Sequence, residues 1–241
     1  MGDVFRLWVY LSASPLLWLT VTLGAYVLAE TIAQALRHAP LANPVLVAVV
    51  LVAITLRLTH TGYATYFAGA QFVHFLLGPA TVALAVPLVR EAAEVRRLAL
   101  PILAALLAGS ATAIATAMGL AWALGASPEV IVSLAPKSVT TPIAMGIAAA
   151  NGGLPALTAV FVLITGVVGG ISVTPVMNLI GVREYPARGF AAGLASHGIG
   201  TARAFQVDRV AGTFAGLALA LNALATSLLV PALLALLAWA R

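Results

Sequence analysis

The chain has 241 residues, of which 62% are hydrophobic and only 8% charged, with a mean hydropathy of +1.09. A soluble domain carries about 25% charged residues, and a soluble fold of this length could not hide so much apolar surface, so a membrane protein with several spans is the class that remains. The net charge of +5 comes from arginines set between apolar segments, which are topology signals and not a nucleic-acid patch; the absence of cysteine excludes disulfides and thiolate metal sites, and His38, His60, His74 and His197 show no metal-ligand spacing.

In chain order, Arg6 precedes an apolar run that leads through Trp8, Ser14, Pro15 and Trp18 into a long segment, read as a first span from Ser14 to Leu36 and not as a cleaved signal. A second span runs from Leu41 to Leu58. Tyr63 to Phe75 mixes Tyr63, Tyr66, Phe67, Gln71 and His74, which suits an interfacial helix or the opening turns of a third span from Leu76 to Leu88. A fourth span covers Leu98 to Leu124. Ser127 and Pro128 then supply a helix start. Span six covers Ala156 to Ile180, with Gly166, Gly169 and Gly170 permitting close helix contact. The last span is Ala211 to Trp239, with a kink expected near Pro231.

Two polar islands interrupt this pattern. Pro136-Lys137-Ser138-Val139-Thr140-Thr141-Pro142 breaks the apolar run 130–150. Ser196-His197-Gly198-Ile199-Gly200-Thr201-Ala202-Arg203 lies within 189–209. A charge and an irregular backbone persist in a membrane only where protein or a water-filled cavity surrounds them, so both mark a functional site.

Positive residues favour the cytoplasmic side. Placing Arg90, Arg96 and Arg97 on the same side as Arg183 and Arg188 demands an even number of crossings between them. Three apolar segments intervene, so one does not cross. The Lys137 segment is the candidate, because each half is too short to span. The expected fold is therefore an all-α polytopic membrane protein with about six full spans. To these it adds two re-entrant hairpins, or discontinuous helices, of opposite orientation in an elevator-like transporter. Residues 1–97 are expected as a scaffold and dimer interface, with an interfacial helix near 63–75. Residues 98–241 are expected as the transport domain.

A broken helix exposes N–H groups that favour an anion. Thr141 suits the N-cap and Pro142 the first turn of a restarted helix. Lys137 brings a full charge, while Ser138, Thr140 and Thr141 bring hydroxyls. Gly198 and Gly200 permit close backbone approach, and His197, Thr201 and Arg203 add donors, Arg203 as a bidentate fork. Each has a plainer reading. Lys137 can snorkel, Arg203 can pair with Asp208, His197 can be a structural hydrogen-bonder, and the hydroxyls can merely satisfy broken backbone. Asn178 and Asn222 read as helix packing. Glu91 and Glu94 read as solvated boundary charges. No nucleophile, base and orienter stand together, so an enzyme is not expected; neither is a cofactor.

Both islands, Leu134 to Ala144 and Ala195 to Ala204, closely resemble the LrgB/CidB membrane protein family, as do Leu77 to Leu88 and Gly152 to Ala159. The resemblance implies a bacterial cytoplasmic-membrane protein, often partnered by a small LrgA/CidA-type protein. It links the chain to murein hydrolase control, cell death and pyruvate uptake, and to the LrgB-like part of the plant plastid glycolate/glycerate translocator. Family members often carry an acidic residue where this chain has Gln206, which leaves Asp208, with His197, as a candidate for proton coupling. The leading expectation is a secondary transporter of small 2-hydroxy- or 2-oxo-monocarboxylates such as glycolate, glycerate, lactate or pyruvate. The alternatives are an antiholin-like regulator of murein hydrolase export and an obligate subunit of an LrgA/LrgB-type complex.

Overall fold

The computed structural model describes residues 14–36, 42–76, 79, 82, 83 and 85–239, and these build helices joined by short turns. Packing divides the chain into two compact units, residues 1–85 and 86–241.

In the first unit, α1 (Pro15–Ala35) packs against both α2 (Pro44–Leu58) and α3 (Tyr63–Phe75). Asn43 caps α2, its Oδ1 accepting from the N–H groups of Val45 (2.9 Å) and Leu46 (3.2 Å). Trp18 is fully buried. It meets Tyr66 edge-on with centroids 6.1 Å apart, and the Tyr66 hydroxyl lies 3.2 Å from Thr22 Oγ1. Gly69 makes this contact possible, because a methyl there would run into the Pro15 carbonyl and the Trp18 Cβ. The aromatic stretch read from the sequence is therefore a helix anchored on α1. The predicted third span, Leu76–Leu88, runs through residues outside those described.

Among the described residues, four helices are long and apolar enough to cross a membrane: α1, α6 (Ala99–Ala123), α9 (Pro155–Leu179) and α11 (Arg209–Trp239). The second predicted span is shorter than expected. The Asn43 cap and Pro44 start α2 late, and its 15 residues rise about 22 Å against a hydrocarbon core of about 30 Å.

The second unit begins with α4 (Ala85–Arg90) and α5 (Ala92–Arg97). Between α6 and α9 the chain makes two short helices, α7 (Pro128–Leu134) and α8 (Thr141–Ala150). Pro128 and Pro142 stand in their first turns, where a missing N–H costs nothing. Thr140, and not Thr141, is the N-cap of α8. Neither Thr140 nor Ser127 makes a side-chain cap bond. After α8 the chain turns at Gly152, whose φ of +83° favours glycine. The N–H of Leu154 then donates to Ser133 Oγ in α7 (2.7 Å). The chain has thus come back beside the helix it left.

The second island doubles back as well. α10 (Tyr185–Val207) is broken at Ser196 (φ −129°, ψ 16°) and His197 (φ 42°, ψ −132°). In a straight helix residues 192 and 200 would stand about 12 Å apart. Here the Gly200 α-carbon faces the Ala192 carbonyl, and Ala192 and Ala204 share a buried cluster with Ala211 and Ala215. The first half also lies along α11, with Gly189 on the Ala211 carbonyl and Gly193 on that of Ala215.

Charge collects at one end of this unit. Arg209 Nη2 donates to Glu91 Oε1 (3.1 Å), and Arg97 pairs with Glu94. Glu94, Arg97 and Glu184 line one cavity of about 890 Å³. Arg188 donates to Asn178 Oδ1 (2.8 Å) and the Val182 carbonyl (3.0 Å). Glu91 and Glu94, read as solvated charges, are ion-paired, and Asn178 holds an arginine.

Candidate functional site

The two breaks meet at the middle of the long helices. Ser110 lies near the midpoint of α6, Gly166 near that of α9, and Asn222 near that of α11. Asn222 is buried and satisfies every valence of its amide. Its Nδ2 donates to the carbonyl of Ser138 in the first break (3.2 Å) and of Leu194 just before the second (3.0 Å). Its Oδ1 accepts from Ser110 Oγ (2.7 Å) and Thr226 Oγ1 (3.2 Å). A buried amide of this kind holds its partners in one arrangement, since losing a bond strands a polar group.

Around this anchor stand the candidate groups of the first break. Lys137 Nζ donates to Ser138 Oγ (3.2 Å). Ser138 is buried, and Lys137, Thr140 and Thr141 are half-buried. Val139 is fully buried in a core with Ile114, Met118, Val162 and Val230, which fixes the backbone that carries Lys137. Pro142 is exposed in the first turn of α8.

In the second break, His197 is buried with its Nε2 donating to the Val162 carbonyl (2.9 Å). A methyl on Gly166 would come within 2.6 Å of the imidazole, so this glycine makes room for the ring. Gly169 makes room for Ser196 in the same way. Thr201 Oγ1 donates to the His197 carbonyl (2.8 Å). Gly198 is exposed with open space around its α-carbon, whereas Gly200 serves the contact between the two halves.

Two candidates stand apart. Arg203 Nη1 donates to Gln206 Oε1 (3.4 Å), and Arg203 lines a small pocket with Arg188, Gly189 and Val207, near the charged end and away from the apex. Asp208 caps α11, its Oδ1 accepting from the N–H groups of Val210 (2.7 Å) and Ala211 (3.1 Å). Among the described residues no three His, Cys, Asp or Glu side chains gather as a metal site. Asn222, read from the sequence only as helix packing, proves to bond both breaks. The available signal was an amide inside a 31-residue apolar helix, where polar groups seek partners.

Long apolar helices enclosing two doubled-back segments define an integral membrane protein with a polar centre. Residues 22–236 match the LrgB-like family model, and the chain belongs to that family. It is 34% identical over 192 residues to YxaC, an uncharacterized protein of Bacillus subtilis, covering 80% of this chain and 84% of the relative. It is 29% identical over 227 residues to the holin-like protein CidB of Staphylococcus epidermidis, covering 94% and 98%. The CidB of Staphylococcus aureus stands at the same identity and coverage. No solved structure matches.

Proposed function

We propose that this protein is a secondary transporter of small 2-hydroxy- or 2-oxo-monocarboxylates in the bacterial cytoplasmic membrane. The observation that carries this reading is the Asn222 amide, bonded at mid-span to the carbonyls of Ser138 and Leu194. Discontinuous helices converging at the bilayer midplane are the usual setting of a transporter's substrate site.

In this reading both broken segments are re-entrant hairpins. Arg97 and Glu184 share one cavity, so α6 and α10 start at the same end, which leaves α6 and α9 as the two crossings between them. The 128–150 pair then enters from the far end and the 185–207 pair from the arginine end, with opposite orientation. Lys137 neutralises the carboxylate, and Ser138, Thr140 and Thr141 orient it together with N–H groups at the restarted helices. Gly198 leaves the second apex open, while Thr201 braces it through the His197 carbonyl. Protons accompany the substrate, with His197 and Asp208 as the groups to test. The unit carrying both hairpins moves against a dimeric scaffold, and an LrgA/CidA-like protein is the expected partner.

The test is uptake of labelled glycolate and pyruvate by the purified protein in liposomes, with and without an inward proton gradient, beside Lys137→Ala. Saturable uptake lost in the variant supports the reading. Absence of uptake by folded protein defeats it as a self-sufficient carrier.

A second reading, control of cell-wall hydrolase export by an antiholin-like or partner-dependent membrane protein, is favoured by the holin-like name of the CidB relatives. A pore would require polar stripes along whole helices, whereas here the polar groups collect at two breaks. Dye release from liposomes at the same protein density separates the two.

A further inference from the structure

Four serines of the second unit are buried, and three are bonded. Ser110 donates to Asn222, Ser133 to the Glu129 carbonyl, and Ser138 accepts from Lys137. The fourth, Ser196, is fully buried, and its Oγ has no hydrogen-bond partner among the described residues. The usual escape for a helical serine is the carbonyl four residues back, which Ser172 and Ser227 both use. For Ser196 that carbonyl belongs to Ala192, where the Gly200 α-carbon sits. A buried hydroxyl without a partner is costly, and such a group calls for an explanation.

Its position supplies one. Ser196 is at the second break, two residues past Leu194, whose carbonyl shares the Asn222 amide with Ser138. It directly precedes His197, held at a φ of 42° with its ring bonded to the Val162 carbonyl. The half-helix 198–207 starts immediately after it. Ser196 therefore stands beside restarted-helix N–H groups and close to the segment that bears Lys137.

We propose that Ser196 contacts the substrate and that its hydroxyl pairs with the oxygen on carbon 2 of a 2-hydroxy- or 2-oxo-acid. This rests on the transport reading above and adds the basis of its selectivity. The carboxylate is already served by the Lys137 charge and backbone N–H groups. A hydroxyl both donates and accepts, so one serine can accept from a 2-hydroxyl or donate to a 2-keto oxygen. A plain acid such as acetate leaves it unpaired, and a site built around a buried polar group rejects the analogue that lacks its partner. The hydroxyl is closed against Gly169, so the ligand reaches it as the Ser196–His197 apex parts from α9.

The test is competition for labelled glycolate uptake in liposomes by pyruvate, lactate, acetate and propionate, with wild-type protein, Ser196→Ala and Ser196→Gly. Wild type should favour the 2-oxygenated acids, and both variants should lose at least about tenfold of that preference. The ligand-free melting temperature of Ser196→Ala should match or exceed that of wild type, because an unpaired hydroxyl is removed. A lowered melting temperature with preference retained would assign Ser196 to structure and overturn the proposal. Wild-type uptake with unchanged preference in both variants also overturns it, while leaving the transporter standing. No uptake by wild type sinks the transport reading and this proposal together.

Discussion

Ser110 of α6 donates its hydroxyl hydrogen to Asn222 of α11 across 2.7 Å, both side chains being buried. That bond orients the amide, so that its nitrogen faces the two broken segments. Asn222→Ala should leave the Ser138 and Leu194 carbonyls stranded and cost about 2–6 kcal/mol, at about 1–3 kcal/mol for each orphaned group. Asn222→Asp should do comparable harm, since a carboxylate cannot donate to a carbonyl. Denaturant titration in detergent measures both, and a variant as stable as wild type would deny the amide its anchoring role.

Lys137→Ala should abolish substrate uptake while the protein stays folded. Lys137→Met should behave alike, because it keeps an apolar stem and removes the charge. Uptake near the wild-type rate in either variant would exclude the ammonium group as the carboxylate's partner.

His197 holds a φ of 42°, a conformation that costs a non-glycine residue about 1–3 kcal/mol. His197→Ala should lose both the ring's bond to Val162 and its place on Gly166 while keeping that strain. His197→Gly loses the same contacts without the strain, so it should be more stable than His197→Ala by about 1 kcal/mol or more. Equal melting temperatures would mean that the backbone there is not strained.

Gly166→Ala would set a methyl 2.6 Å from the His197 ring, and overpacking of that kind costs about 1–3 kcal/mol. Gly119→Ala is the control, because that α-carbon faces open space. A Gly166→Ala protein as stable as the control would show that the apex does not rest on α9.

Asp208→Ala should lose about 1 kcal/mol with its cap, whereas Asp208→Asn keeps an acceptor there and should hold its stability. Loss of proton-gradient stimulation in Asp208→Asn would then belong to the charge and not to the cap.

Most of the helical layout is legible in the sequence, because long apolar runs and their Pro and Gly boundaries are local features. Pro15, Pro128, Pro142 and Pro155 each stand in the first turn of a helix. Both breaks are legible too, since hydroxyls, histidine and lysine stand out against an apolar background. What escaped is long-range. Nothing local to Asn222 says that it reaches residues 84 and 28 positions away, and nothing near Arg203 says that it faces Arg188 rather than Lys137. The Gly200 motif reads as ligand approach, but its space is taken by the Ala192 carbonyl. Ser196 is legible as part of the second island, but the loss of its usual acceptor shows only in the fold.

In the transport reading, one amide bonded to both apices limits how access alternates. Pulling either tip away on its own leaves a buried carbonyl without its donor, at about 1–3 kcal/mol. Two tips that share a donor are poor independent doors. While the Asn222 bonds last, the two tips are held as one piece, and in the transport reading proposed above exposure to one face or the other follows from where that piece sits.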